Sequence, residues 1–96
     1  MKEKMFQNED LRRYRKKVDK IDDKLLNLLN KRGKTVLKIG KIKKKAHMVI
    51  NQSQREEEII ERIKLKSIIL EKASVENIWR EIIHACKLIQ SLKVTD

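Results

Sequence analysis

An arginine stands where a long apolar seam should continue. Leu11, Val18, Leu25, Arg32 and Ile39 recur every seven residues, and Tyr14, Ile21, Leu28, Thr35 and Ile42 form the companion line. A guanidinium on such a face is expensive to bury alone. Either an acid from another helix pairs with it, or a ligand brings the anion. Lys43 follows eleven residues later. That is close to three helical turns, so both cations project from one side, about 16 Å apart along the axis. Two cations so placed can hold a small dianion between them. The plainer alternative makes Lys43 one solvated member of the run Lys41, Lys43, Lys44, Lys45. Arg15 precedes Arg32 by seventeen residues, about 25 Å along the helix and about 100° around it. It cannot share a small ligand with Arg32 of its own chain. In an antiparallel pair of first helices, Arg15 of one chain could approach the middle of the other. Cys86 and Gln90, one turn apart, lie on the flank of a later apolar stripe and add an amide. A surface position at the stripe's edge is the bland reading of Gln90.

These groups need long helices to carry them. The chain has no proline and two glycines, Gly33 and Gly40. So few breakers favour an all-α fold over a turn-rich β fold. The seam predicts a first helix from about Glu9 to Lys45, over ~50 Å long. That exceeds the size of a compact chain of 96 residues, whose radius of gyration is ~12–13 Å. A second copy is the simplest thing for the seam to pack on. Gly33 and Gly40 inside the helix signal close backbone packing or a slight bend. The period breaks over Ala46–Gln52. Ser53-Gln54-Arg55-Glu56 then matches a capping box, opening a second helix through Ile59, Ile60, Ile63 and Ile68. Ala73-Ser74 marks the next break. Ser74 caps a third helix with Val75, Ile78, Trp79, Ile82, Ala85, Ile89 and Leu92 turned inward. One domain over residues 1–96 is expected, with its ordered core at about 11–92.

Composition sets the outer bounds. Hydrophobic residues at 40% and charged residues at 41% suit helices with one buried stripe each. The net charge of +11 allows nucleic acid, an anionic membrane surface or a small anionic substrate as partner and does not choose. The lone Cys86 forms no intrachain disulfide, and no cysteine–histidine spacing of a metal site exists. Met1–Asp10 is polar and unlike a secretion signal. No apolar run approaches the ~18 residues of a membrane span. A cytoplasmic, metal-free protein is expected.

The order Arg15-x-x-Val18-x-x-Ile21-Asp22, Leu25-Leu26-x-Leu28-Leu29-x-x-Arg32, Ile39-Gly40-x-x-Lys43, Arg55-Glu56, Ile82-Ile83 and Gln90 closely resembles the all-α chorismate mutases. The resemblance covers about residues 11–92. It implies three helices per chain, a long first helix, and an intertwined homodimer with two shared sites. It implies conversion of chorismate to prephenate without cofactor, in the route to phenylalanine and tyrosine, with no nucleic acid or membrane partner. Carried over, Arg32 and the partner's Arg15 hold the two substrate carboxylates. Lys43 and Gln90 donate to the ether oxygen of the breaking C–O bond. Glu56 accepts from the ring hydroxyl, although a glutamate at this place is also the capping-box residue. Arg55 belongs to the polar wall. Two positions depart from the common pattern. Gln52 stands where an aspartate often precedes the Arg-Glu pair, and Cys86 where a serine often precedes the final glutamine. Gln52 keeps hydrogen bonding without charge, and Cys86 is the weaker donor. The main electrostatic groups are kept, so altered affinity is expected.

Three other readings remain. A basic nucleic-acid binder accounts for the charge but not for Arg32 in a seam. A catalytically weak or inactive regulatory dimer would fit the two departures. An isochorismate-pyruvate lyase would use a similar scaffold and similar cations.

Overall fold

A computed structural model describes the backbone of residues 2–48 and 53–94 and the side chains of 8–48 and 53–93. Among these residues the chain is all-helical, with α1 over Lys2–Lys45, α2 over Ser53–Lys66 and α3 over Lys72–Val94. It divides into two compact units, Met1–Lys31 and Arg32–Asp96.

Three boundaries differ from the sequence expectation. Helix α1 begins at Lys2 and not near Glu9. The stretch before the seam is rich in Lys, Glu, Met and Gln, which propagate a helix readily without an apolar stripe. Helix α2 ends at Lys66, and Ile68 lies 92% exposed beyond it. The Ser67 amide closes the last turn on the Lys64 carbonyl, and its hydroxyl donates to the Leu70 carbonyl at 2.6 Å. Helix α3 begins at Lys72, which places Ser74 inside it. The Val75 amide donates to the Glu71 carbonyl at 3.0 Å. Accepting the first helical bond makes Glu71 the cap residue.

The C-terminus of α1 is fixed by paired bonds. The Met48 amide donates to the Lys43 carbonyl at 2.8 Å, and the His47 amide to the Lys44 carbonyl at 3.2 Å. His47 supplies the left-handed residue such an ending requires, with φ 56°. Lys43, Lys44 and Lys45 occupy the last turn, where the helix dipole favours cations.

In the first unit the seam residues Leu11, Tyr14, Val18, Ile21, Leu25 and Leu28 are each 47–59% exposed. The second unit has a small core of Ile60, Val75, Ile83 and Cys86. Burying Ile60, at 1% exposure, is worth roughly 1.5–3 kcal/mol. The buried face of α3 is therefore Val75, as expected, together with Ile83, Cys86 and Gln90, which corrects the rest of the expected stripe. Ile78, Ile89 and Leu92, expected inward, are 44%, 37% and 67% exposed, and Ala85 is exposed as well. The helix is apolar on two faces, so periodicity alone does not choose between them.

Charges tie α2 to α3. The Arg80 guanidinium donates to Glu76 at 2.9 Å and to Glu57 at 3.2 Å, and Lys64 donates to Glu76 at 3.1 Å. The hydrogen bond from Arg80, then that from Lys64, holds the Glu76 carboxyl below its usual 4.5. A depressed folded value contributes stability above the unfolded value and loses it as pH falls through the folded one. Stability is therefore expected to decline as pH drops below about 4.5. Glu76→Gln should flatten that decline, checked by urea midpoints at neutral and acid pH. An equal acid decline in parent and variant would assign it to other groups.

Candidate active site

The second unit carries an open cavity of about 270 Å³. Small-molecule sites usually span ~300–1,000 Å³, so this one suits a small ligand. From α1 come Arg32, Thr35, Val36, Ile39 and Lys43; from α2, Arg55, Glu56 and Ile59; from α3, Ile83, Cys86, Lys87 and Gln90. Thus Arg32, Lys43, Arg55, Glu56, Cys86 and Gln90, all singled out in the sequence, line one space. Arg15 lies in the first unit, exposed on α1 beside Arg12 and Lys16. Gln52 falls outside the described residues.

Four cations and one carboxylate face this cavity. Arg55 lies 3.6 Å from Glu58 in an exposed pair, which holds it weakly. Lys87 pairs with Glu56, Nζ to Oε1, at 3.3 Å. Among the described residues, neither Arg32 nor Lys43 pairs with a carboxylate, and both are half-buried. Among the described residues, the salt-bridge alternative for Arg32 therefore finds no partner. Partly desolvated cations without a protein anion are poised for a ligand that brings one.

Gln90 is 4% exposed and not at the edge of α3. Its Nε2 donates to the Val36 carbonyl at 3.0 Å. An amide nitrogen carries two hydrogens, so one is fixed on α1 and the other remains for a ligand. Gly40 makes this possible. A Cβ there would lie 2.8 Å from both Cγ and Nε2 of Gln90. The glycine is thus a seat for the amide, the close packing its place in the seam suggested. At Gly33 a Cβ would meet only Ile89 Cδ1 at 3.7 Å, an ordinary contact.

Lys87 escaped the sequence reading. The signal was present: Ile83, Lys87 and Gln90 follow the i, i+4, i+7 spacing of one helix face. Centring the stripe of α3 on Ile82 and Ile89 hid it. Glu56, read as a possible capping-box partner of Ser53, turns its carboxylate to Lys87 on α3 instead.

Among the described residues, the all-helical scaffold gathers four cations, one carboxylate and an amide around one cavity, with no paired nucleophile and base. Such a set of groups can act on a ligand by positioning and electrostatics. The chain belongs to the chorismate mutase type II family, whose sequence profile matches residues 14–91. It is similar to the bifunctional chorismate mutase/prephenate dehydratase of Aquifex aeolicus (strain VF5), at 39% identity over 92 residues. The match covers 90% of this chain and 25% of that protein, so the chain spans about a quarter of the length of this curated relative. Among the described residues, no helix is long and apolar enough to cross a membrane.

Proposed function

We propose that the chain converts chorismate to prephenate, as an intertwined cytoplasmic homodimer with two shared sites and no cofactor. The observation that carries this is the pair of cations Arg32 and Lys43, without a carboxylate partner among the described residues, sharing one cavity with the Gln90 amide. The reaction is an intramolecular pericyclic rearrangement: one C–O bond breaks as one C–C bond forms. It needs no nucleophile and no acid–base step. It needs the extended dianion folded into a chair-like conformer, which cations gripping both carboxylates favour. It also needs donors where charge grows on the ether oxygen. Arg32 and the partner's Arg15 take the carboxylates. Lys43 and the free hydrogen of Gln90 Nε2 serve the ether oxygen. Glu56 accepts from the ring hydroxyl, with Arg55 and Cys86 completing the wall; Gln52 is assigned to the same substrate contact set.

The exposed seam of the first unit supports the dimer. A single helix with such a stripe gains little stability from itself and depends on packing. The same covering would place Arg15 in trans and make residues 1–96 one functional domain. Sedimentation at micromolar concentration is expected to give a dimer; a folded monomer would rule out the shared site.

Gly40→Ala should displace the Gln90 amide. Overpacking costs ~1–3 kcal/mol, and alanine returns up to ~1 kcal/mol in helix propensity. The net loss of stability is about 0–2 kcal/mol, while turnover is expected to fall about 10²-fold or more, as when one such donor is removed. Melting curves and kcat on the same sample separate the two effects.

The function itself is tested by supplying chorismate and, separately, isochorismate, and following prephenate and pyruvate. Prephenate from chorismate is the expected product. Pyruvate from isochorismate with no prephenate from chorismate would identify a lyase instead. Steep salt-dependent binding to arbitrary DNA, with neither product, would point to the basic surface.

A further inference from the structure

Glu56 poses an electrostatic problem for the cavity it lines. A carboxylate facing a doubly anionic substrate repels it, and the repulsion grows as water leaves the site. Lys87 resolves this. Its Nζ lies 3.3 Å from Glu56 Oε1, bridging α3 to α2 across 31 residues of sequence. The two side chains are only 39% and 25% exposed, and both line the cavity with Arg32 and Lys43. The bond uses Oε1. Glu56 Oε2 has no protein partner among the described residues and is left as the acceptor for a ligand hydroxyl.

We propose that Lys87 is a positioning residue that orients the Glu56 carboxylate and cancels its charge, so that a dianion can bind beside it. This rests on the cavity being the chorismate site. Lys87 need not touch the substrate. Its effect passes through Glu56, and it sets affinity more than the rate of the bound complex.

That separation can be measured with a double-mutant cycle of Lys87→Gln and Glu56→Gln, and with Lys87→Arg as the conservative variant. Lys87→Gln is expected to raise KM about tenfold with kcat changed less than about threefold, the mark of lost ground-state binding. Lys87→Arg should restore most of the affinity. With Glu56→Gln already in place there is no carboxylate left to orient, so adding Lys87→Gln should raise KM only about threefold, the part owed to losing one cation near the dianion. Where Glu56→Gln turns over too slowly, prephenate affinity by titration calorimetry gives the same cycle. Far-UV melts check that each variant folds, and Lys87→Arg keeps the ion pair if Lys87→Gln does not. An unchanged KM in Lys87→Gln, or an equal tenfold effect in both Glu56 backgrounds, would overturn the proposal. A parent chain inactive on chorismate would instead overturn the reading of the site on which it rests.

Discussion

Arg32→Ala is expected to lower kcat/KM for chorismate by about 10³-fold or more while leaving the helices intact. The stability half follows from its surroundings. Arg32 is half-buried and, among the described residues, has no carboxylate partner. Removing it strands no opposite charge, so the usual penalty of breaking a buried pair is absent. The catalytic half follows from what remains. Lys43 alone cannot fix the two ends of a dianion, and without both anchors the extended conformer dominates. Arg15→Ala should be similarly inactive, for the same reason applied in trans. The pair then permits a test that neither allows alone. After verified subunit exchange in an equal mixture, half the dimers are mixed. Each mixed dimer has one site with both defects and one with neither, so roughly a quarter of the sites are intact. Activity should return to about that level. A mixture that stays inactive would show that Arg15 does not complete the neighbouring site.

Gln90→Glu should make a nearly flat pH profile steep. The parent amide does not titrate and donates at any working pH. In the variant a carboxyl would sit in a position 4% exposed, against the Val36 carbonyl. Burial and the neighbouring acceptor both favour the protonated form, while Lys43 in the same cavity opposes them. Near neutrality an ionised glutamate there donates nothing and repels the growing ether-oxygen charge. Turnover should fall about 10²–10³-fold, as when one oxyanion donor is lost. Towards pH 5 part of it should return. Recovery stays partial because a carboxylic acid has one proton to offer, where the amide gave one to Val36 and one to the ligand. Stability should move with activity. If burial raises the variant's folded value above the unfolded ~4.3, its contribution is full below that value and lost as pH rises through the folded one. The variant should therefore melt lower near neutrality than near pH 5. A profile as flat as the parent's would place Gln90 away from the reacting oxygen.

What could be read beforehand was whatever interrupts a period. Arg32 stood out because it interrupts the single seam of α1, where a cation needs an anion. Lys43 was marked only by its eleven-residue spacing from Arg32 and could equally be read as one of a solvated lysine run. The three-helix order was legible from breaks in the period as well. The face of α3 was not, because Ile78, Ile82 and Ile89 form as good a stripe as Val75, Ile83 and Cys86. What favours the second is the packing of α2 against α3 and the seat on α1 made by Gly40, fifty residues before Gln90. Pattern within one helix cannot report a seat supplied by another. Lys87 was hidden by the same error of face. The cap of α3 was misplaced because serine is tolerated in a first turn as well as before it. Why the stripe of the first unit exists also lies beyond one chain, since its partner surface belongs to a second copy in the proposed dimer.

The central claim meets its most direct test in a proton NMR time course of chorismate with the purified chain, beside Arg32→Ala and buffer alone. The account predicts prephenate appearing mole for mole as chorismate disappears, far faster than in buffer, with Arg32→Ala slower than the parent by about 10³-fold or more. Chorismate lost no faster than in buffer, or equally fast with Arg32→Ala, would contradict it.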